Sequence, residues 1–157
     1  MRPRRAVICL LAALSGGRLH AQTSAATAMT GTVLTAITVS GSDLAFGRLL
    51  RTQTKRVAAP AGGRFTITMA SSTPVTINYA LPSALGANVV LSAWQLLSNT
   101  LNDAANAQQV ATPANNGSFT ASTPTGTLYL WVGATVATTN AAIGTYSQPI
   151  TLTVTYN

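Results

Sequence analysis

Apolar and polar residues alternate along several short stretches of the chain, most regularly at its C-terminal end. The stretch PITLTVTYN alternates threonines with an apolar series: Ile150, Leu152, Val154 and Tyr156. Because successive side chains of a strand point to opposite faces, this pattern predicts a strand with one apolar face and one face of hydroxyl groups. The apolar face is expected to pack against the protein's own core.

The same alternation predicts strands upstream. They cover residues 29–39, the LAF segment at 44–46, and residues 65–69, 75–81, 118–121 and 128–132. Residues 89–97 alternate only as far as Trp94, so a strand and a short helix both stay open there. Residues 71–74 suit a hairpin connection, and Asn116 with Gly117 suits a hairpin turn. Short strands at intervals of about ten residues, without a convincing helix, predict an all-β antiparallel β-sandwich.

The first residues have the pattern of a secretory signal. A charged MRPRR is followed by the apolar run AVICLLAAL and then by small and polar residues up to Ala21. We predict cleavage after Ala21, which leaves one domain at 22–157 and no transmembrane segment. An uncleaved anchor is the alternative, but this run is far shorter than the roughly 20 residues that span a bilayer. The protein is therefore expected to be secreted.

Cleavage would remove most of the chemistry on which enzymes and metal sites depend. Cys9 and His20, the only cysteine and histidine of the chain, both precede the cleavage site. The remaining acids are Asp43 and Asp103. A thiol nucleophile, a disulfide and a histidine-based site are excluded for such a chain. We expect neither an enzyme nor a cofactor-binding or metal-binding protein.

Positive charge is concentrated in one segment. Nine lysines and arginines against two acids give a net charge of +7, and loss of the four arginines in the signal leaves five against two, or +3. The remaining cations are Arg48, Arg51, Lys55, Arg56 and Arg64. They could form a basic surface for an anionic partner or another subunit, or be solvated charges that protect a sheet edge. No aromatic residues interleave with them, so no nucleic-acid partner is expected.

Three phrases of the sequence resemble a known family in the same order along the chain. They are SDLAFG, GRFTITMASSTPVTINYALP and TLYLWVGATVATTNAAIGTYSQPITLTVTYN. Together they resemble the secreted bacterial domain family DUF4402, which is similar to the spore coat U domain of pilus subunits. The resemblance covers about residues 26–157, and it implies a route through the periplasm of a bacterium to the cell surface. The chain lacks the cysteines of many spore coat U-like subunits.

The C-terminal phrase also resembles the recognition motif of pilus subunits assembled by the chaperone-usher route. It has alternating apolar residues, a penultimate Tyr156, and Gly144 at the fourteenth position from the end (157 minus 144, plus one). The resemblance implies an immunoglobulin-like sandwich that lacks a strand, which a periplasmic chaperone and then the next subunit supply. It implies a contact strand with Gly144, Tyr146, Ile150, Leu152, Val154 and Tyr156. The candidates for the donated strand are Met29, Gly31, Val33 and Ile37, within an N-terminal extension at about 22–40.

Two functions follow as hypotheses. The first is a structural subunit of a fimbria-like surface filament, a head-to-tail homopolymer with a periplasmic chaperone and an usher as further partners. The second is a self-complete secreted or surface adhesive module that binds glycans, with Trp94 or Trp131 stacking on a sugar. Each tryptophan has apolar neighbours in sequence, which favours a place in the core.

Overall fold

Ten strands form two antiparallel sheets in the computed structural model, which describes residues 30–110 and 115–157. The strands are β1 (Thr38–Ser42), β2 (Gln53–Val57), β3 (Gly63–Thr68), β4 (Val75–Ala80), β5 (Ala84–Gly86), β6 (Val89–Asn99), β7 (Gln108–Gln109), β8 (Asn116–Ala121), β9 (Thr127–Thr138) and β10 (Thr151–Tyr156). A 3₁₀ turn at Ala59–Ala61 lies between β2 and β3. The predicted all-β class is confirmed.

The larger sheet is built on its two longest strands, β6 and β9, which pair antiparallel from Val89 opposite Thr138 to Asn99 opposite Tyr129. The other side of β9 pairs first with β3 and then with β2, and β1 pairs with β3. The short strands β5 and β7 pair with β6. The result is a curled sheet of seven strands.

The smaller sheet has only three strands, in the order β10-β4-β8. The central strand β4 buries Val75, Ile77 and Tyr79. In β10 the residues Leu152, Val154 and Tyr156 are half-buried and the threonines are exposed, as the alternation predicts. β10 is an edge strand, because in the described part of the chain only β4 pairs with it.

The two sheets pack face to face as a β-sandwich around two clusters of buried side chains. The first cluster includes Val89, Leu91, Trp94, Leu96, Leu130, Val132 and Val136. The second consists of Ile67, Met69, Val75, Ile77 and Leu128. β9 contributes to both clusters, because its even-numbered residues from Leu128 to Val136 all lie on the inner face of the larger sheet.

The N-terminal strand predictions were partly wrong. The predicted strand at 29–39 is regular only from Thr38, where β1 finds backbone partners in β3. Residues 30–37 lie outside regular structure, and residue 29 is outside the described residues. The predicted strand at 44–46 is an irregular segment in which Phe46 alone is buried. A strand needs a neighbour for its backbone groups, and neither segment has one along its full length.

Both predicted hairpins were wrong. Residues 71–74 connect β3 of the larger sheet to β4 of the smaller one, so the two strands do not pair. Asn116 and Gly117 lie inside β8, opposite Ala80 and Tyr79. A glycine is required at 117 because a Cβ atom there would collide with the hydroxyl group of Tyr79. The glycine therefore serves side-chain packing and not a turn.

Candidate binding groove

The three-stranded sheet covers only part of the seven-stranded one. Two largely irregular segments, residues 41–51 and 138–150, line a groove of about 960 Å³ over the remainder of the inner face. Its floor includes Phe65, Leu91 and Val132 of the larger sheet. All three belong to or pack against the first core cluster. Leu91 and Val132 are themselves buried and Phe65 is half-buried, so the floor of the groove is the packed outer layer of the core.

Hydrogen bonds from β2 hold residues 41–51 as the first wall of the groove. Lys55 lies opposite the buried Val136, on the core side of the sheet, and its ammonium group donates to the carbonyl oxygen of Phe46 at 2.6 Å. The backbone N–H of Leu50 donates to the Gln53 side chain at 2.8 Å. The side chains of Lys55 and Gln53 thus hold this largely irregular segment against the sheet.

Residues 138–150 form the second wall, and Arg51 joins it to the first. The Arg51 guanidinium donates to the carbonyl oxygen of Ala141 at 3.1 Å and to the side-chain oxygen of Asn140 at 2.8 Å. The backbone N–H of Ala141 donates back to the carbonyl oxygen of Arg51 at 2.9 Å. Beyond this junction, Ile143 is 95% exposed. Hydrogen bonds of Arg51 therefore join the two walls, and the apolar side chain of Ile143 beyond them is exposed.

A bulge in β6 places Trp94 in the groove. The register of β6 against β9 shifts between Ser92 and Gln95, and Ala93 has a left-handed φ of 47°. The extra residue reverses which side chains face inward, so Leu91 and Trp94 both line the groove. The residues 89–97 are therefore a strand, and Trp94 breaks the alternation because of this bulge.

The indole of Trp94 is buried without a hydrogen-bond partner. Its side chain is 8% exposed, and its Nε1 atom meets no acceptor in the described part of the molecule. It is the one buried side-chain nitrogen or oxygen in that part for which this is so. A desolvated N–H without an acceptor costs about 1–3 kcal/mol. This unsatisfied donor is closed to solvent and lies in the packed interior behind the groove lining.

The outer face of the larger sheet has a small core of its own, which the sequence analysis did not predict. Leu97 and Trp131 are buried there with Ala59, and Tyr129 stacks on Trp131 at a centroid distance of 6.0 Å. The consecutive apolar residues Trp131 and Val132 were the available signal for a strand buried on both faces. Since Trp94 and Trp131 are only 8% and 5% exposed, neither tryptophan offers a free ring face to a sugar.

Three of the residues predicted as a contact strand precede β10, and the other three lie within it. Gly144, Tyr146 and Ile150 line the groove, and Leu152, Val154 and Tyr156 follow directly in β10.

Tyr156 also connects three parts of the chain. Its hydroxyl group accepts a hydrogen bond from the backbone N–H of Ala70 at 2.7 Å and donates one to the carbonyl oxygen of Thr35 at 2.6 Å. The segment before β1 is thereby held against the end of β10.

The four candidates for a donated strand fall into different environments. Met29 lies outside the described residues, and Gly31 is exposed outside regular structure. Val33 is 98% exposed. Ile37 is half-buried and packs against the second core cluster of its own domain. Ile37 therefore belongs to the body of its own domain, whereas Gly31 and Val33 are exposed.

The five cations do not form one surface. Arg56 lies opposite Thr135 and Arg64 opposite Trp131, both on the outer face, whereas Lys55 faces the core. Arg64 donates to the side-chain oxygen of Asn102 at 2.9 Å. With Lys55 and Arg51, three of the five cations hold loops of their own chain, and Arg48 and Arg56 are exposed. This arrangement resembles the solvated, structural alternative more than a dedicated basic patch.

The two acids occupy different segments. Asp43 lines the groove, and Asp103 lies in the loop after β6. The side-chain amide of Asn106 and the backbone N–H of Ala105 donate to Asp103 and hold its pKa below the usual value. Within residues 30–110 and 115–157 no three acids, histidines or cysteines come together as metal ligands. In the same residues, no helix has the length and apolarity to cross a membrane.

No family model matches this chain, and no curated protein or solved structure matches it at a significant level. The resemblance to DUF4402 domains and to chaperone-usher subunits therefore stays a prediction from the quoted residues.

Proposed function

We propose that this protein is a structural subunit of a surface filament that polymerises head to tail. An N-terminal segment of one copy lies as an added strand in the groove of the next. The observation that carries the proposal is the groove itself, about 960 Å³ in volume and floored by core residues such as Leu91 and Val132. The apolar surface that the groove leaves open belongs to other lining residues, the half-buried Leu85 and Ile150 and the exposed Ile143. Such a surface favours a protein partner that covers it.

An added strand suits the groove better than a small molecule does. Ile150 lines the groove immediately before the edge strand β10, whose outer backbone groups pair with no described strand. A strand placed beside β10 forms ladder hydrogen bonds with these groups and covers the groove floor with alternate side chains. The same occupant thus satisfies both backbone groups and apolar surface.

The N-terminal segment has the length and character of such an occupant. Val33 and Leu34 are 98% and 40% exposed, although both are apolar. Thr35 is bonded to Tyr156, so the part free to leave its own domain ends at residue 34. With cleavage after Ala21, residues 22–34 are thirteen residues (34 minus 22, plus one). At about 3.3 Å per residue they reach roughly 43 Å, about twice the length of β10.

The proposed contact joins different surfaces of two copies, so it repeats without closing and generates a filament. Export through the periplasm follows from the predicted signal. The unpaired edge and the open groove would have to be covered before assembly, which gives a periplasmic chaperone and an usher their roles. In this proposal the protein has no catalytic function, and its partners are copies of itself and the assembly proteins.

Removal of the donor segment tests the proposal. The variant lacks residues 22–33, which leaves Thr35 bonded to Tyr156 and Ile37 in the second core cluster. Protein from the cell surface is run on a gel with and without boiling. The parent chain should give a ladder of multimers that collapses on heating, because buried strands dissociate slowly. The shortened chain should give a folded monomer only.

A matched pair of variants tests the acceptor side. Leu85→Glu places a carboxylate on the groove lining, whereas Val90→Glu places one at a position that is 52% exposed on the same hairpin. We expect the first variant to lose the ladder and the second to retain it. A ladder from the chain without residues 22–33 would contradict the proposal. A single monomer band for the parent chain in both lanes would favour the self-complete adhesive module.

A further inference from the structure

Most of the large apolar side chains that are exposed in the described part of the chain lie at two places. The exposed ones are Val33, Leu34, Val39, Leu50, Val90, Leu101 and Ile143. Val33 and Leu34 are neighbours in the segment before β1, and Leu50 and Ile143 both line the groove. Val33 and Ile143 are the most exposed, at 98% and 95%. Each place offers apolar surface that a partner would remove from water.

Leu50 and Ile143 lie at the end of the sandwich where β9 ends. The hydroxyl group of Thr138, the last residue of β9, donates to the carbonyl oxygen of Leu50 at 2.8 Å. The backbone N–H of Ala141 donates to the carbonyl oxygen of Arg51, and Ile143 follows two residues after Ala141. We call Leu50 and Ile143 the rim of the groove.

Val33 lies at the opposite end of the sandwich, where β9 begins. Leu128, the second residue of β9, belongs to the second core cluster, against which Tyr156 packs. The hydroxyl group of Tyr156 donates to the carbonyl oxygen of Thr35, two residues after Val33. From Leu128 to Thr138 there are ten residue steps (138 minus 128), or roughly 33 Å of strand. The two apolar surfaces of one copy are therefore too far apart to cover each other.

We propose that Val33 and Leu34 of one copy pack against the rim of the next copy, so that copies join end to end along the direction of β9. This inference rests on the proposed function, because it assigns the contact at which the donated segment enters the next groove. Residues 22–32 lie deeper in that groove, and Val33 and Leu34, the last residues free of their own domain, stay at its rim. The side chains on both sides are purely apolar, so their burial is the driving force.

Cross-linking tests the contact in the assembled protein. The chain without its predicted signal has no cysteine, so introduced cysteines are its only thiols. Val33→Cys is combined either with Ile143→Cys or with Leu50→Cys. Filaments are then treated with a short bismaleimide, which tolerates more variation in geometry than a disulfide does. Both pairs should give a ladder of covalent multimers that survives boiling.

The matched control combines Val33→Cys with Val90→Cys. Val90 is also apolar and is 52% exposed, and it lies near the same end of β9, opposite Ala137. It belongs to the outer face of the sheet, away from the groove lining. This pair should give only the monomer band after boiling.

The rate at which multimers dissociate measures the burial of Ile143. We expect Ile143→Ser multimers to dissociate about 10- to 100-fold faster than the parent multimers, because a buried isoleucine contributes to affinity and interface changes act mainly on dissociation. Val90→Ser multimers should dissociate at the parent rate. The full-length protein, refolded at a concentration low enough to keep it monomeric, should keep its urea midpoint in Ile143→Ser. A structural role within its own domain predicts a lower midpoint instead.

The failures are distinguishable. If the parent chain gives a ladder but neither rim pair cross-links, or the Val90 pair cross-links as strongly as they do, this inference is overturned and the filament proposal stands. The same holds if Ile143→Ser multimers dissociate at the parent rate. If the parent chain gives only a monomer band, the filament proposal itself fails, and the inference fails with it.

Discussion

Tyr156→Phe removes one hydroxyl group that makes two hydrogen bonds, and it leaves the ring in place against the second core cluster. The hydroxyl accepts from the backbone N–H of Ala70 and donates to the carbonyl oxygen of Thr35. Each such bond contributes about 0.5–1.5 kcal/mol net, and the lost acceptor also leaves the N–H of Ala70 partly buried and unpaired. We expect the free energy of unfolding to fall by about 1–3 kcal/mol.

Urea denaturation measures this loss. Trp94 and Trp131 are both buried, so their fluorescence reports unfolding of both faces of the larger sheet. For a slope of about 2 kcal/mol per molar urea, a loss of about 2 kcal/mol lowers the midpoint by roughly 1 M. The control is Tyr146→Phe, which removes one exposed hydrogen bond to the carbonyl oxygen of Ala142. Its effect should be about 0.5 kcal/mol or less.

Hydrogen exchange locates the effect. The amide proton of Ala70 should exchange faster in Tyr156→Phe than in the parent protein. Its exchange rate should be unchanged in Tyr146→Phe. If Tyr156→Phe leaves the midpoint within error of the parent protein, the hydroxyl does not hold the segment before β1 to the smaller sheet. Equal losses for the two variants would contradict the reasoning in the same way, since only Tyr156 joins distant parts of the chain.

Two further predictions concern packing and charge. A Cβ atom at Gly133 would lie 2.6 Å from the carbonyl oxygen of Val57, a backbone atom that cannot rotate away, so Gly133→Ala should destabilise the fold by about 1–3 kcal/mol in the same urea assay. Gly144→Ala is its control, because nothing lies within 4 Å of a Cβ atom there, and it should be neutral. The carboxyl group of Asp103 should titrate below the usual aspartate value by carbon-detected NMR, and Asn106→Ala should raise that pKa, because the Asn106 amide is the main cause of the shift. Since the pKa of Asp103 is lower in the folded state, the stability that it contributes is present above the pKa of the unfolded state. This stability is lost as the pH falls through the pKa of the folded state. An unchanged pKa in Asn106→Ala would refute this account.

The sequence by itself determined that β3, β4, β9 and β10 are strands and which of their faces are apolar, whereas it did not predict β2, β5 or β7. In β3, β4, β9 and β10 every second residue is apolar, and this period of two follows from the geometry of one strand alone. The pattern therefore predicts these strands without knowledge of the strands that pair with them. The positions of the exposed threonines in β10 follow from the same rule.

Only the tertiary structure decided which strands pair. Backbone hydrogen bonding is the same for every strand, so alternation does not say that β3 and β4 belong to different sheets or that Gly117 lies under Tyr79. The bulge at Ala93 depends on the register of β6 against β9, and the groove on the unequal width of the two sheets. These features arise from contacts between residues far apart in the chain, whereas a local pattern records only which side of a strand avoids water.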